Sequence, residues 1–273
     1  MPELPEVESV RRRIAPVMED ARFTDVIVRR RNLRAPFPKR FRERLIGRTV
    51  LEVTRRAKYL VVLLSSDETL LMHLGMSGSF RVDQEGDGTL SVAHDHVVFQ
   101  MSSGAVVTFN DPRRFGFMDL VGAGGLSAHP VLSALGPEPL SAEFDGFALA
   151  RACKGKRTSL KLALLDQRVV AGLGNIYASE ALHIAGLSPL RRASTIATRS
   201  GLPHPSAHRL AAAITAVLTE AIERQSPTRQ YRSARFRVYD RESERCRRGR
   251  CEGSIRRRTQ GGRSTFFCPR CQR

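Results

Sequence analysis

The sequence contains no run of 18 or more apolar residues in its 273 positions, so no segment is expected to form a transmembrane helix. Its first residues also lack the hydrophobic region of a secretory signal peptide. Long internal repeats are absent, as is low complexity beyond a general bias toward arginine. These absences favour a cytoplasmic protein without a membrane partner. A chain of this length can form two domains with cores of their own.

Cysteine is scarce, and four of the five residues lie in the last 28 positions. This number and placement argue against a disulfide scaffold. The spacing is Cys246-x4-Cys251-x16-Cys268-x2-Cys271. Two close pairs separated by sixteen residues predict four thiolates around one structural Zn²⁺, which would stabilise a β-hairpin too small for a core of its own. The remaining Cys153 is expected to be an ordinary reduced thiol.

Acidic residues are few at both ends of the chain. Residues 1–60 contain 16 Lys and Arg against 8 Asp and Glu, residues 61–223 contain 13 against 15, and residues 224–273 contain 16 against 4. The formal net charge of +18 is thus carried by the two ends, which predicts that both contact a polyanion. All sixteen basic residues of the last segment are arginine, whose guanidinium group matches phosphate oxygens in a bidentate manner.

The first residues bring a nucleophile close to carboxylates. Removal of Met1 from in front of Pro2 would leave a secondary amine, and an α-amino group titrates at about 8, so a useful fraction is uncharged near neutral pH. Glu3 is adjacent, and Glu6 is one turn away if Pro5 lies in the first turn of a helix. A general acid or base is thereby supplied. The simpler interpretation is an ordinary helix start with acidic residues at its positive end.

Internal motifs add chemistry to this start. Lys58 directly precedes an apolar strand, residues 73–78 place two glycines around Met76, and residues 166–180 contain a Gly-x-Gly-Asn stretch that opens a helix. An unbranched methionine in an exposed turn can slide between base pairs, and such a helix start directs N–H groups at an anion. Each motif alone has a simpler interpretation, namely a solvated lysine, a core methionine and a structural glycine turn.

Together with residues 110–116, Asn-Asp-Pro-Arg-Arg-Phe-Gly, and the first eight residues, Met-Pro-Glu-Leu-Pro-Glu-Val-Glu, these motifs closely resemble bacterial formamidopyrimidine-DNA glycosylases. The likeness extends from Pro2 to Arg273 with the motifs in order. It implies a monomeric glycosylase and abasic-site lyase of base excision repair, acting on double-stranded DNA with oxidised bases or abasic sites. Pro2 would attack C1′, displace the base and form a Schiff base, and β,δ-elimination would cut the strand.

The resemblance also implies roles for individual residues. Pro2, Glu3, Lys58 and Arg263 would form the catalytic set, with Glu3 moving protons at the sugar, Lys58 at the damaged nucleotide and Arg263 on the phosphates beside it. Glu6 would be a supporting carboxylate that orients the site. No redox cofactor, nucleotide or catalytic metal is implied.

A second group of residues would hold the DNA. Met76 would fill the gap left by the everted base, Arg113 would read the orphaned base, and Phe115 would wedge the opposite strand. Extrusion of a base costs a few kcal/mol of unstacking, which these three residues would offset. The other DNA-binding residues implied are His73, His94, Arg114, Lys161 and Asn175, the last two as phosphate ligands.

The predicted fold class is α+β with several domains. Short β-type runs predict an N-terminal antiparallel β-sandwich with an N-terminal helix over residues 7–18. The runs, which turn residues separate, are 26–28, 50–53, 59–64, 70–73, 97–101, 105–109 and 115–121. Residues 1–125 are the expected catalytic domain, and residues 126–142 the linker. A helical DNA-binding domain with the helix-two-turns-helix motif follows at 143–232, and a β-hairpin zinc finger at 233–273.

Two departures from the family pattern leave alternatives open. The first cysteine pair has four intervening residues where the family usually has two, and residues 225–237 are shorter than the glycine-rich segment that can close over an extruded purine. The short segment keeps an endonuclease VIII-like enzyme for oxidised pyrimidines possible, although Met76, Arg113 and Phe115 oppose it. A non-catalytic binder of damaged DNA is the other alternative, and it would need neither Pro2 nor Glu3.

Overall fold

The structure is a computed structural model that describes residues 1–84, 92–225 and 236–273, and it divides into two compact units, Met1–Ser133 and Ala134–Arg273. In its described part the first unit contains, in chain order, α1 (Leu4–Met18), β1 (Phe23–Val28), α2 (Phe41–Leu45), β2 (Val50–Arg56), β3 (Tyr59–Leu64), β4 (Thr69–His73), β5 (Ser79–Gln84), β6 (Asp95–Met101), β7 (Ala105–Asn110), β8 (Phe117–Val121) and α3 (Pro130–Ser133).

The strands described in the first unit form two antiparallel sheets with the orders β1-β6-β7-β5 and β2-β3-β4-β8. Apolar side chains of both sheets share one core, to which α1 adds an apolar stripe with helical spacing at Val7, Val10, Ile14 and Met18. The predicted β-sandwich with an N-terminal helix is therefore confirmed. The helix begins three residues earlier than predicted, at Leu4.

Strand β5 was not predicted from the sequence. Its residues, Ser-Phe-Arg-Val-Asp-Gln, bury Phe80, but Phe80 and Val82 are the only apolar residues, and an alternation this short does not predict a strand. Pairing with β7 defines the strand, because Ser79 lies opposite Asn110. The predicted run 115–121 was too long, since β8 begins at Phe117 and Phe115 is exposed in the preceding turn.

The sheet registers place two connections side by side. The segment 74–78 joins β4 to β5, and the segment 111–116 joins β7 to β8. His73 pairs with Phe117 where β4 ends, and Ser79 pairs with Asn110 where β5 begins. Both connections therefore cross between the sheets at the same edge of the sandwich.

The second unit is helical and ends in a hairpin. Its described elements are α4 (Gly146–Cys153), α5 (Leu160–Leu165), α6 (Asn175–Ala185), a 3₁₀ helix (Ala193–Ile196), α7 (Pro205–Arg224), β9 (Arg256–Gln260) and β10 (Arg263–Phe267). Strands β9 and β10 are antiparallel and lie between the two cysteine pairs. The linker at 126–142 and the boundaries at 143, 232 and 233 stay predictions. Among the described helices, none is long and apolar enough to cross a membrane.

Candidate active site and DNA-binding surfaces

The start of α1 fixes the predicted catalytic carboxylate, Glu3, and the predicted supporting carboxylate, Glu6. Glu3 is the N-cap and forms a capping box with Glu6, in which the Glu3 N–H donates to Glu6 Oε2 at 2.7 Å. Pro5 lies in the first turn, where its missing N–H costs no intrahelical bond. Glu3 is only 2% exposed, and Pro2 is half-buried beside it. The arrangement holds one carboxylate out of water next to the residue whose amine Met1 removal would free.

Lys58 lies on the tight turn between β2 and β3. Ala57, before it, has a left-handed backbone with φ of 54°, and Arg55 Nη1 donates to the Ala57 carbonyl oxygen at 2.8 Å. Arg55 also pairs with the buried Glu8 of α1 at 3.4 Å. This chain of contacts links the Lys58 turn to the helix that carries Pro2, and Lys58 itself is buried.

His73 lies at the end of β4 as a neutral ring. Its Nδ1 accepts the Gly75 N–H at 2.9 Å, which leaves the hydrogen on Nε2. Burial, together with the positive charges of Lys58 and Arg34, lowers the pKa of His73 to about 4. The ring also packs on Tyr59 with centroids 4.8 Å apart. Near neutral pH the side chain can therefore donate a hydrogen bond but carries no charge.

The residues predicted to wedge the DNA come together in the first unit. Met76 and Phe115 are each 41% exposed although both are large and apolar, and the Arg113 guanidinium carbon lies 5.0 Å from the Phe115 ring centroid. Arg114 and His94 are exposed with φ of 58° and 72°. Exposed apolar side chains beside arginine form a surface that can insert into a duplex.

Lys161, by contrast, is fully buried in the second unit. Its Nζ donates to Asn175 Oδ1 at 2.6 Å, the Ser264 carbonyl oxygen at 2.9 Å and Thr265 Oγ1 at 2.7 Å, and Asn175 Nδ2 donates to the same Ser264 oxygen at 3.0 Å. An ammonium group has three N–H donors, and protein acceptors occupy all of them. These contacts hold the exposed Arg263, the first residue of β10, in register with the start of α6. Phosphate ligation by Lys161 stays a prediction that this geometry does not favour.

Replacement of Lys161 by methionine should therefore destabilise the protein and weaken DNA binding together. The variant removes the Lys161 donor from Asn175 Oδ1 and Thr265 Oγ1, at about 1–3 kcal/mol for each unsatisfied group, while the Ser264 carbonyl oxygen keeps its bond from Asn175 Nδ2. We expect urea denaturation to show a loss of about 2–4 kcal/mol and DNA titrations to show reduced affinity. Lys154→Met, at an exposed lysine of the same unit, is the matched control. Reduced DNA affinity at unchanged stability would instead identify Lys161 as a direct phosphate ligand.

The four clustered cysteines form the predicted metal centre. Their Sγ atoms lie within 4.8 Å of one another, with Cys246 to Cys271 at 3.8 Å and Cys251 to Cys268 at 3.7 Å. Tetrahedral zinc with Zn–S bonds of about 2.3 Å separates its sulfur atoms by about 3.8 Å. The donor set therefore fits one structural Zn²⁺. The longer first knuckle closes with a turn in which the Cys251 N–H donates to the Arg248 carbonyl oxygen at 3.0 Å.

Two buried side chains on α6 support the zinc module, and the sequence analysis missed both. His183 Nε2 lies 3.3 Å from Cys246 Sγ. A hydrogen bond of this kind, from a residue behind a metal ligand, orients the ligand. Glu180 accepts the successive N–H groups of Arg237, Val238 and Tyr239 at 2.7, 2.8 and 2.9 Å. Their positions within an apolar helix gave the only available signal, because the partners are more than fifty residues away.

Comparisons with known proteins agree with this geometry. Three family models match the chain. They are described as the Formamidopyrimidine-DNA glycosylase N-terminal domain, over residues 1–118, the Formamidopyrimidine-DNA glycosylase H2TH domain, over residues 135–233, and the Zinc finger found in FPG and IleRS, over residues 243–273. Proteins named Formamidopyrimidine-DNA glycosylase from Bradyrhizobium sp. strain BTAi1 and Beijerinckia indica are 56% and 54% identical, with 100% of each chain covered.

Solved structures show the same relationship. Lactococcus lactis Fpg in complex with a FAPY-dG containing DNA has a TM-score of 0.88 and 28% identity over 99% of this chain and 100% of that one. MutM with carbocyclic 8-oxo-G containing DNA has a TM-score of 0.87 and 29% identity over 100% of both. The chain is thus a DNA repair glycosylase with a helix-two-turns-helix domain and a structural zinc finger. It belongs to the formamidopyrimidine-DNA glycosylase family, which confirms the resemblance found in the sequence.

Proposed function

We propose that this protein removes oxidised purines from double-stranded DNA and then cuts the strand as an abasic-site lyase. The observation that carries the proposal is the start of α1, where Pro2 precedes a Glu3 carboxylate that is 2% exposed and held by a capping box. The capping box accounts for the helix start, and the burial of an acid beside the N-terminal amine supports catalysis over a protein that only binds DNA. The zinc finger and the exposed Met76 and Phe115 serve DNA binding in the same protein.

The chemistry begins with the Pro2 nitrogen, freed of Met1. Its lone pair attacks C1′, the glycosidic bond breaks, and the base leaves with the proton that the attacking amine loses. Glu3 delivers a proton at the sugar as the ring opens, which yields the Schiff base between Pro2 and C1′. Loss of a proton from C2′ then expels the 3′ phosphate, and a second elimination expels the 5′ phosphate. Glu6, bonded to the Glu3 N–H, keeps the acid in place.

The remaining predicted residues hold the substrate. Lys58 and Arg263 bind phosphates at the damaged nucleotide, and the Asn175 side chain at the start of α6 joins them. Met76 fills the space of the everted base, Arg113 reads the orphaned base, and Phe115 wedges the opposite strand. The other DNA contacts are assigned to His73, His94 and Arg114, and Lys161 contributes to DNA binding through the residues that it positions.

An incision assay tests the proposal. Duplexes with a formamidopyrimidine, 8-oxoguanine, an oxidised pyrimidine or an abasic site should show release of the oxidised purines and strand products cut on both sides of the sugar. The oxidised pyrimidine belongs in the set because one related structure is a Lactococcus lactis Fpg complex with an oxidised pyrimidine containing DNA. Binding without base release would favour the non-catalytic alternative, and a pyrimidine preference the endonuclease VIII-like one.

Base discrimination is expected to be weak. Residues 225–237 are short for the family, and of these 226–235 lie outside the described part of the structure. The alignment with the Bradyrhizobium relative extends over 293 positions, 20 more than this chain has. In competition kinetics, formamidopyrimidines should be removed well, with little preference for 8-oxoguanine over other oxidised bases. A preference of roughly a hundredfold or more, about 2.7 kcal/mol, would show that a long segment is not what confers recognition.

A further inference from the structure

Asp111 is a buried acid that none of the catalytic steps uses. It is 0% exposed and lies between Asn110, the last residue of β7, and the exposed Arg113 and Phe115. A carboxylate without exposure to water must be satisfied by protein donors. The identity of those donors shows what the acid does.

The two carboxylate oxygens of Asp111 bind different turns. Oδ1 accepts the Ser77 hydroxyl at 2.5 Å, and Oδ2 accepts the Gly116 N–H at 2.8 Å. Ser77 Oγ in turn accepts the Arg113 N–H at 3.1 Å. One carboxylate thus connects the segment 74–78 to the segment 111–116, which the sheet registers already place at the same edge.

The three wedge residues, Met76, Arg113 and Phe115, are next to the residues that make these hydrogen bonds or make one themselves. Met76 precedes Ser77, Arg113 donates its own N–H to Ser77, and Phe115 precedes Gly116. The backbones of the two segments also touch, because a Cβ added at Gly75, where φ is 63°, would lie 2.2 Å from the Phe115 carbonyl carbon. The connection is therefore short and direct for each of the three wedge residues.

We infer that Asp111 is a positioning residue that joins Met76, Arg113 and Phe115 into one rigid wedge; this inference rests on the proposed function. Base extrusion costs a few kcal/mol of unstacking. If the three side chains moved independently, the conformational entropy lost when they become ordered would offset part of the free energy of their contacts with DNA. With the two turns joined before DNA arrives, Met76 enters the helix on one strand while Phe115 enters on the other. Ser77 transmits the effect to Met76 and Arg113.

A double-mutant cycle tests the inference on the full chain. Ser77→Ala should lower the single-turnover rate of base excision at least about tenfold, while thermal denaturation confirms that the variant is folded. In a Met76→Ala background the same change should cost less than about twofold, because residues that act as one unit are not additive. Ser77→Thr, which keeps the hydroxyl, should recover most of the rate. Equal losses in both backgrounds would overturn the inference.

A second readout does not require catalysis. With 2-aminopurine placed opposite a stable abasic analogue, insertion of Met76 and Arg113 should change the fluorescence, and Ser77→Ala and Asp111→Asn should reduce that change. Ser103→Ala is the matched control, since its hydroxyl donates to the Val17 carbonyl oxygen at the other end of β7. A wild-type fluorescence change without excision would count against the proposed function alone. An unaltered change in a folded Ser77→Ala protein would count against the wedge.

Discussion

Borohydride reduction during turnover should trap this protein on abasic DNA through the nitrogen of residue 2. The Pro2 amine is the reacting group in the proposal, and its α-amino pKa leaves it partly uncharged at neutral pH. A lysine inserted between Met1 and Pro2 should prevent trapping, because retained residues turn the Pro2 nitrogen into an amide without a nucleophilic lone pair. Peptide mapping of the trapped complex identifies the attachment site. Attachment at an internal lysine would contradict the assignment. So would unchanged trapping by the protein with the inserted lysine, or trapping of Pro2→Gly at a site other than residue 2.

Glu3→Gln distinguishes the proton-transfer group from the nucleophile in the same assay. The change keeps the size of a side chain that is 2% exposed, so DNA affinity should stay within about twofold. Base excision should fall by about 10²–10⁴-fold, the usual contribution of a positioned acid or base. Glu43→Gln, at an exposed glutamate of the same unit, is the control. Equal losses of affinity and rate would make Glu3 a structural residue.

The sequence could predict those features of the site that depend on short spacing. The Pro2-Glu3 start and the paired cysteines are local patterns, and the structure places each set together. The tight turn around Met76 follows from glycines at 75 and 78, where an added Cβ would lie within 2.5 Å of backbone atoms. Each of these features is formed by residues that are close in the chain, so a short sequence motif is enough to predict it.

The remaining contacts depend on partners far apart in the chain. Asp111 is 34 residues from Ser77, and Lys161 is 104 residues from Thr265. In the sequence Lys161 looks like a free cation available to phosphate, and only the burial of its ammonium among three acceptors shows a positioning role. Tertiary packing, and not local propensity, decides whether such a charge faces solvent. Strand β5 was missed for the same reason, because its partner β7 defines it.

Zinc should be required for DNA binding through the hairpin that it stabilises. Phe266 packs with the cysteines in a small core of the module, and a hairpin of this size has little stability without metal, whose binding contributes about 10–16 kcal/mol in comparable modules. Chelation or Cys268→Ser should therefore release one zinc per chain and disorder β9 and β10. Lys161 then no longer holds Ser264 and Arg263 in register.

DNA affinity of the zinc-free protein should fall by about a hundredfold or more, about 2.7 kcal/mol, for damaged and undamaged duplexes alike. The dependence of log K on log salt should become less steep by about 0.9 for each phosphate that the protein no longer neutralises, beginning with the phosphate that Arg263 is proposed to bind. Cys153→Ala is the matched control, since burial raises the pKa of that thiol to about 11 and the residue lies outside the cysteine cluster. Metal analysis beside salt-dependent titrations provides the measurement. Full affinity in a protein shown to contain no zinc would mean that the hairpin folds without metal, and that Arg263 is positioned by the Lys161 and Asn175 contacts alone.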